Sequence, residues 1–254
     1  MISLKVENIS KRFISKKIFL RKKKEKIVLN NVSFNVENGS IFGLVGLNGI
    51  GKTTLIKIIL DMLPNDKGNI EIFGINHKDT NSRKNICYLP EKFLPSQYLT
   101  GYEFLKISLS FFGMELDEKI KKYAVEMSKK IILDPAVLEN VIGKYSKGMR
   151  QKLGLLACLM SNAKMLILDE PMSGLDPQSR IALKQTLKDY IKNGNSIFFS
   201  SHILEDVEEI CDKMSVLHNG KIVFNGTPNT FLETYCDKTD NNKTMEKAFL
   251  KCIE

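Results

Sequence analysis

A glycine-rich segment restricts most strongly what this chain can fold into. It reads GLNGIGKTTL from Gly46 to Leu55, between an apolar run at 41–45 and a second one at 55–60. A strand, a glycine-rich turn and a helix in this order are the setting in which Gly-x-x-x-x-Gly-Lys-Thr binds phosphate. Glycines allow successive backbone N–H groups to point at phosphate oxygens, and the first turn of a helix adds partial positive charge. The segment therefore predicts a nucleotide-binding loop rather than a plain connection.

Two side chains of this loop have specific chemistry. Lys52 can reach the β- and γ-phosphates of a nucleotide, and the Thr53 hydroxyl can ligate Mg²⁺. We therefore predict a nucleotide and Mg²⁺ as cofactors. The predicted binding residues of the loop are Gly46, Leu47, Asn48, Gly49, Ile50, Gly51, Lys52, Thr53 and Thr54.

An apolar strand that ends in two acids is the second predicted part of the site. Residues 165–168 read Met-Leu-Ile-Leu, and Asp169 and Glu170 follow them directly. Carboxylates at the end of a buried strand lie where an open α/β sheet binds its ligand. Asp169 is placed to hold Mg²⁺, and Glu170 is placed to polarise an attacking water. A strand followed by a solvated turn is the alternative, and the phosphate-binding loop upstream favours the functional interpretation.

The order of apolar segments predicts an α/β fold with mostly parallel central strands. A stretch with helices alone, between Thr100 and Met160, indicates an inserted helical subdomain, and Asn219-Gly220 indicates a hairpin. Predicted strands lie at 4–6, 27–29, 32–36, 41–45, 70–73, 86–89, 165–168, 197–199, 214–217 and 222–224. Predicted helices lie at 52–62, 102–112, 117–129, 147–160, 177–192 and 204–210, and a last amphipathic stretch lies at 245–250.

Charge and cysteine content limit the remaining possibilities. The net charge is +9, and seven cations lie in the basic run at 16–26. Such a run contacts nucleic acid or anionic lipid in some proteins, but a solvated loop or hairpin tip is the more ordinary interpretation. The sequence contains no run of about 18 apolar residues, so no membrane-spanning helix is predicted. Five cysteines without a Cys-x-x-Cys pair argue against zinc and favour a reducing, cytosolic compartment.

Together with three further segments and one aromatic residue, these motifs resemble the nucleotide-binding subunit of ABC transporters over about residues 2–226. Tyr145–Gln151 is similar to the family signature, which is usually Leu-Ser-Gly-Gly-Gln. Ser173–Asp176 is similar to the D-loop, and Ser200–His202 is similar to the switch-histidine loop. Phe13 lies where the family has an aromatic residue that stacks on adenine; a core position for Phe13, or stacking by Phe19, stays open as an alternative.

The resemblance implies a domain organisation and a set of site residues. It implies a P-loop NTPase core with an antiparallel β subdomain and a helical subdomain at about 92–160, within an ATPase domain at 2–226. Residues 227–254 would be a short helical extension. In addition to ATP binding by the loop, the resemblance implies Glu170 and His202 as catalytic residues, Phe13, Ser146 and Gly148 for ATP, and Thr53, Glu91 and Asp169 for Mg²⁺.

Two departures from the family pattern point to a subgroup. The signature has Lys147 and Met149 where glycine and glutamine are commoner, and Glu91 replaces the usual glutamine. The segments Tyr-Leu-Pro-Glu and Tyr-Ser-Lys-Gly-Met are similar to those of exporter ATPases that work with a separate multi-span permease.

The function that the resemblance implies is ATP hydrolysis that powers export. Its partners would be the permease and a second cassette, identical or different, on the inner face of the cell membrane, without specific binding to nucleic acid. The alternatives are a soluble ABC ATPase acting on ribosomes or nucleic acid, and a catalytically silent regulatory cassette. The absence of an Asn-Lys-x-Asp motif disfavours a GTPase.

Overall fold

The chain folds into two units, one made of Met1–Arg83 and Ser200–Glu254 and the other of Lys84–Phe199. This computed structural model describes residues 1–16, 23–236 and 243–254. Most of the basic run and Phe19 therefore lie outside the described residues or have no described side chains.

The secondary structure alternates between strands and helices along most of the chain. The strands are β1 Ile2–Lys16, β2 Lys23–Glu37, β3 Ile41–Val45, β4 Lys67–Ile72, β5 Ile75–Asn76, β6 Ile86–Leu89, β7 Met165–Asp169, β8 Ser196–Ser201, β9 Lys213–His218 and β10 Lys221–Gly226. The helices are α1 Lys52–Ile59, α2 Gly101–Ser110, α3 Glu118–Lys130, α4 Lys147–Met160, α5 Pro177–Ile191, α6 Leu204–Ile210, α7 Pro228–Tyr235 and α8 Met245–Ile253.

An antiparallel sheet occupies one part of the first unit. Its strand order is β2-β1-β4-β5. Leu4 faces Val36 of β2 and Ile72 of β4, and all three side chains are buried. Alternating apolar residues along β1 thus bury one face of this sheet, as period-two patterning requires.

The same unit contains the strand that precedes the glycine-rich loop. Every residue of β3 is buried, and β3 pairs in parallel with β9. Strand β9 continues into β10 through Asn219 and Gly220, whose φ angles are 47° and 75°. Both angles suit the type I′ hairpin turn, so the predicted hairpin is confirmed.

The second unit contains parallel strands and the helices α2 to α5. Strand β6 pairs in parallel with β7, and the strand order is β8-β7-β6. The boundary between the two units falls within β8, between Phe199 and Ser200. The helices begin at side-chain caps. Thr100 and Glu103 form a capping box at α2, and Ser146 accepts a hydrogen bond from the N–H of Met149 at α4.

Most predicted elements are confirmed, and the differences have local causes. Helices α4 and α6 have the predicted bounds, and α8 contains the predicted amphipathic stretch. The prediction that the first helix reaches Met62 is wrong. Asp61 adopts a left-handed φ of 55°, and the Met62 N–H donates to Lys57 O at 2.8 Å, which closes a Schellman motif after Ile59.

Two further differences concern lengths and a missed helix. Strands β1 and β2 are each 15 residues long, because they pair with one another along most of their length. Helix α7 was not predicted, although Thr227 caps it and Pro228 occupies its first turn. The domain bounds 2–226, 227–254 and about 92–160 stay predictions.

Candidate nucleotide-binding site

The glycine-rich loop curls between β3 and α1 in the first unit. Gly51 is the N-cap of α1 and has a φ of 121°, a conformation that L side chains rarely adopt. A Cβ atom on Gly51 would lie 3.2 Å from the Val28 carbonyl oxygen, so space is also limited. Glycine is therefore required where the loop turns into the helix.

The side chain of Lys52 lies inside this curl. Its Nζ donates hydrogen bonds to Gly46 O at 2.6 Å and to Leu47 O at 3.4 Å, and the residue is 5% exposed. A buried ammonium group surrounded by loop backbone, at the first turn of a helix, is suited to a polyphosphate. The loop residues predicted from the sequence thus lie together, and Thr53 occupies the second position of α1.

Phe13 lies on β1 and is 41% exposed, so the alternative of a core position is wrong. The Nζ atom of Lys11 lies 5.6 Å from the centroid of its ring. Asp66 holds that lysine, with Oδ1 at 3.3 Å from Nζ, and its Oδ2 accepts the Arg12 N–H at 2.7 Å. The backbone hydrogen bond from Arg12 is the largest cause that lowers the pKa of Asp66.

His202 follows directly after β8 and is exposed. The Oγ atom of Ser201 accepts a hydrogen bond from the Ile203 N–H at 2.9 Å, which closes a short turn around His202. Helix α6 begins one residue later, at Leu204. The imidazole therefore lies on a short, ordered connection between a buried strand and a helix.

The acidic strand end lies in the second unit. All residues of β7 are buried, and its last residue, Asp169, is 0% exposed. Glu170 is 6% exposed and has a φ of 52°. A non-glycine residue in this region is strained, and such strain is typical of functional sites.

The donor set agrees with the predicted metal. Mg²⁺ typically binds one or two carboxylates together with substrate phosphates and water. Asp169 provides a buried carboxylate, and Thr53 provides a hydroxyl beside the lysine of the loop. Each of these residue types suits Mg²⁺, and a single ion shared by the two residues stays a prediction.

Glu91 belongs to the same sheet edge as the two acids. Strands β6 and β7 run in parallel with Leu89 opposite Leu168, so the chain leaves both strands at the same edge. Burial, followed by the charges of Asp169 and Glu91, raises the pKa of Tyr88 to about 12. The Tyr88 phenol therefore stays neutral, and Glu91 itself is exposed.

The signature segment forms the N-terminus of α4. Ser146 is its N-cap, with Oγ accepting the Met149 N–H at 3.2 Å, and Gly148 lies in the first turn. A role as helix cap is therefore confirmed for Ser146. Its predicted role in binding ATP, like the roles of Gly148, Phe13, Glu91 and His202, stays a prediction.

Sequence reasoning missed two polar residues that contact the segment after β7. Gln151 and Lys152 are 6% and 8% exposed, although glutamine and lysine side chains are mostly exposed in folded proteins. Gln151 Nε2 donates to Pro171 O at 3.3 Å, and Lys152 Nζ lies 3.6 Å from Asp176 Oδ2. Gln151 is the last residue of the signature segment and Lys152 follows it directly, and only this position could have drawn attention to them.

Comparison with known proteins decides the family. Residues 29–173, more than half of the 254 residues, match the family described as ABC transporter. The chain belongs to the ABC transporter family. This confirms the resemblance that the motifs indicated.

Individual relatives extend the match over most of the chain. An uncharacterized ABC transporter ATP-binding protein of Synechocystis sp. is 35% identical over 199 residues, which cover 78% of this chain and 56% of that protein. Nod factor export ATP-binding protein I of Rhizobium sp. (strain N33) is 32% identical over 217 residues, which cover 83% of this chain and 69% of that protein. The chain thus spans about half the length of the first relative.

A solved structure confirms the fold class of this ABC protein. An ATP-binding subunit of an ABC transporter superposes with a TM-score of 0.82 at 27% identity, over 98% of both chains. The predicted α/β P-loop NTPase class is therefore correct. Within the described residues, no helix has the length and apolar character that crossing a membrane requires.

Proposed function

We propose that this chain is the ATP-binding and ATP-hydrolysing subunit of an ABC transporter that exports its substrate through a separate permease. The observation that carries the proposal is the loop Gly46–Thr54, which encloses the Lys52 ammonium group at the start of α1. An enclosed cation at a helix N-terminus is suited to a nucleoside triphosphate.

Each site residue has a distinct role in this proposal. Lys52 neutralises charge on the β- and γ-phosphates, and Phe13 stacks on the adenine. Glu170 polarises the attacking water as general base, and His202 assists at the γ-phosphate. Ser146 and Gly148 serve the γ-phosphate of a second cassette, as they do in the family that the sequence resembles.

Mg²⁺ supplies charge neutralisation at the phosphates when it is bound. Thr53 and Asp169 would hold it, and Glu91 would contribute from the end of β6. The position of Asp169 as the last residue of β7 supports this assignment, because an open α/β sheet binds its ligand at the carboxyl ends of its strands.

ATP hydrolysis by the purified chain tests the enzymatic part of the proposal. We expect phosphate release that saturates with ATP concentration and stops when Mg²⁺ is removed by a chelator. Release that does not depend on Mg²⁺, or no release above that of buffer, would contradict the assignment.

A second cassette and a permease are the proposed partners. We expect the Glu170→Gln variant to elute as a dimer in size exclusion with ATP and Mg²⁺, because the amide preserves ATP binding without hydrolysis. Elution as a monomer under these conditions would argue against closure around ATP.

Export and location on the inner face of the membrane are supported by the similarity to the Nod factor export protein. Purification of the tagged chain from detergent-solubilised membranes should recover a multi-span protein that changes the hydrolysis rate. Recovery from the aqueous fraction alone, with no such protein, would contradict this part.

A further inference from the structure

The segment after β7 carries the proposed general base and is contacted along its length by one helix. This segment, Glu170–Asp176, is called the 170–176 segment below, and the helix is α4. The Ser173 N–H donates to Glu170 O at 3.1 Å, so the segment begins with a tight turn.

The first contact is near the start of the segment. Gln151 is 6% exposed, and its Nε2 donates to the carbonyl oxygen of Pro171 at 3.3 Å. Pro171 is the residue directly after Glu170. The amide of Gln151 thus fixes the backbone next to the proposed general base.

The second contact is in the middle of the segment. A Cβ atom on Gly148 would lie 3.1 Å from the carbonyl oxygen of Gly174, so the two backbones approach closely. The Lys147 side chain also approaches the segment, with its Cε 3.3 Å from the position of a Cβ on Gly174. The first turn of α4 therefore packs directly on the segment.

The third contact is at the end of the segment. Lys152 is 8% exposed; its Nζ donates to Ile132 O at 2.7 Å and lies 3.6 Å from Asp176 Oδ2. Asp176 also caps α5, because its carboxylate accepts the Ser179 hydroxyl at 2.6 Å and the Ser179 N–H at 2.9 Å. These bonds lower the pKa of Asp176 to about 2, so the carboxylate stays ionised opposite the lysine.

Lys152 also connects the segment to the end of α3. Ile132, which follows that helix, has a left-handed φ of 55°, an outlier for a β-branched residue. Its carbonyl oxygen points at the Lys152 ammonium group. One buried cation thus joins the end of α3, α4 and the start of α5.

We propose that Gln151 and Lys152 are positioning residues, which hold the 170–176 segment so that Glu170 is correctly oriented for hydrolysis. The proposal rests on the proposed ATPase function and adds two residues that act through Glu170. If both residues only stabilised the fold, their loss would lower stability without a specific effect on the segment or on turnover.

Three variants and one matched control separate these cases. Lys152→Met and Gln151→Met remove the polar contacts at similar length, and Lys152→Arg keeps the charge. Lys192→Met is the control, because Lys192 is an exposed lysine of the same unit, paired with Asp189 at 2.7 Å.

The first measurement is amide hydrogen exchange of peptides that cover 170–176, without nucleotide. We expect exchange there to rise about tenfold in Lys152→Met and Gln151→Met, which is the size expected for one hydrogen bond to a buried or charged group. Lys152→Arg and Lys192→Met should stay close to the parent. Unchanged exchange in both methionine variants, or an equal rise throughout the chain, overturns the proposal.

The second measurement separates kcat from KM. We expect kcat for ATP to fall about tenfold in both methionine variants with KM within about twofold, since the contacts act on the base and not on the phosphate loop. A kcat loss that only follows the folded fraction overturns the positioning role. A parent chain that hydrolyses no ATP overturns the proposed function instead, and the exchange measurement then still decides whether α4 holds the segment.

Discussion

Glu170 is held in a backbone conformation that only glycine adopts easily. Its φ of 52° costs roughly 1–2 kcal/mol for a residue with a side chain. The turn closed by the Ser173 N–H and the contact from Gln151 to Pro171 hold it there. Strain maintained at a buried carboxylate fits a residue whose orientation matters more than its contribution to stability.

Lys52 provides the most direct prediction for a single side chain. Lys52→Ala should weaken ATP binding by about 10- to 100-fold, because it removes a charged donor from the phosphates. Titration with ATP measures this. Lys57→Ala is the matched control, since Lys57 is an exposed lysine of the same helix and should leave the affinity unchanged. Equal affinities of Lys52→Ala and the parent would contradict the assignment of the loop.

For individual residues, the sequence predicts which ones belong to the candidate site, because each motif is a local pattern with fixed spacing. Gly46–Thr54 and Asp169–Glu170 are recognisable for that reason. The left-handed φ of Glu170 is not predictable in the same way, because it depends on contacts from a helix that precedes it by some 20 residues.

Helix α8 shows how an element outside the predicted ATPase domain is attached. It contacts α6, α7 and β10 within the first unit. Three of its residues are buried, namely Met245 at 1%, Ala248 at 0% and Phe249 at 7% exposed. Since α6 begins two residues after His202, α8 packs against the helix that follows this histidine.

Phe249→Ala should lower the free energy of unfolding by about 3 kcal/mol, which is the usual size for truncating a buried phenylalanine. Urea denaturation measures this difference. Leu250→Ala is the control, because Leu250 is 58% exposed and its loss should cost less than about 0.5 kcal/mol. Similar effects of the two variants would show that α8 is not docked as described.

Whether the bounds of a helix or strand can be predicted depends on whether the residues that determine its ends lie close to it in the sequence. Helix α4 was predicted with its observed bounds, because Ser146 caps a continuous apolar pattern. The end of α1 was missed, because Asp61 rather than glycine takes the left-handed position. The length of β1 depends on its pairing with β2. The alternation of apolar and polar residues along β1 does not show how far this pairing extends.

At the scale of the whole molecule, the net charge of +9 raises the question of nucleic-acid binding. The basic run at 16–26 contributes much of this charge, and 17–22 lies outside the described residues. The motifs for ATP binding and hydrolysis lie elsewhere in the chain. Contacts of such a run with polyanions depend on counterion release and weaken steeply with salt.

Neutralising Arg21, Lys22, Lys23 and Lys24 together should therefore leave the ATPase rate nearly unchanged. Binding to a polyanion should be weak in the parent at about 150 mM salt, and weaker still in this variant. Phosphate release and a salt series of nucleic-acid titrations measure both effects. Tight binding at that salt concentration, with stimulation of hydrolysis that the variant loses, would contradict this view.

The central claim is that Glu170 activates water for ATP hydrolysis by this chain. Phosphate release from saturating ATP and Mg²⁺, compared between the parent and Glu170→Gln, tests it most directly. The account predicts that the variant still binds ATP but releases phosphate at least about 100-fold more slowly, because the amide keeps the shape and loses the base. Turnover at the parental rate in Glu170→Gln would contradict it.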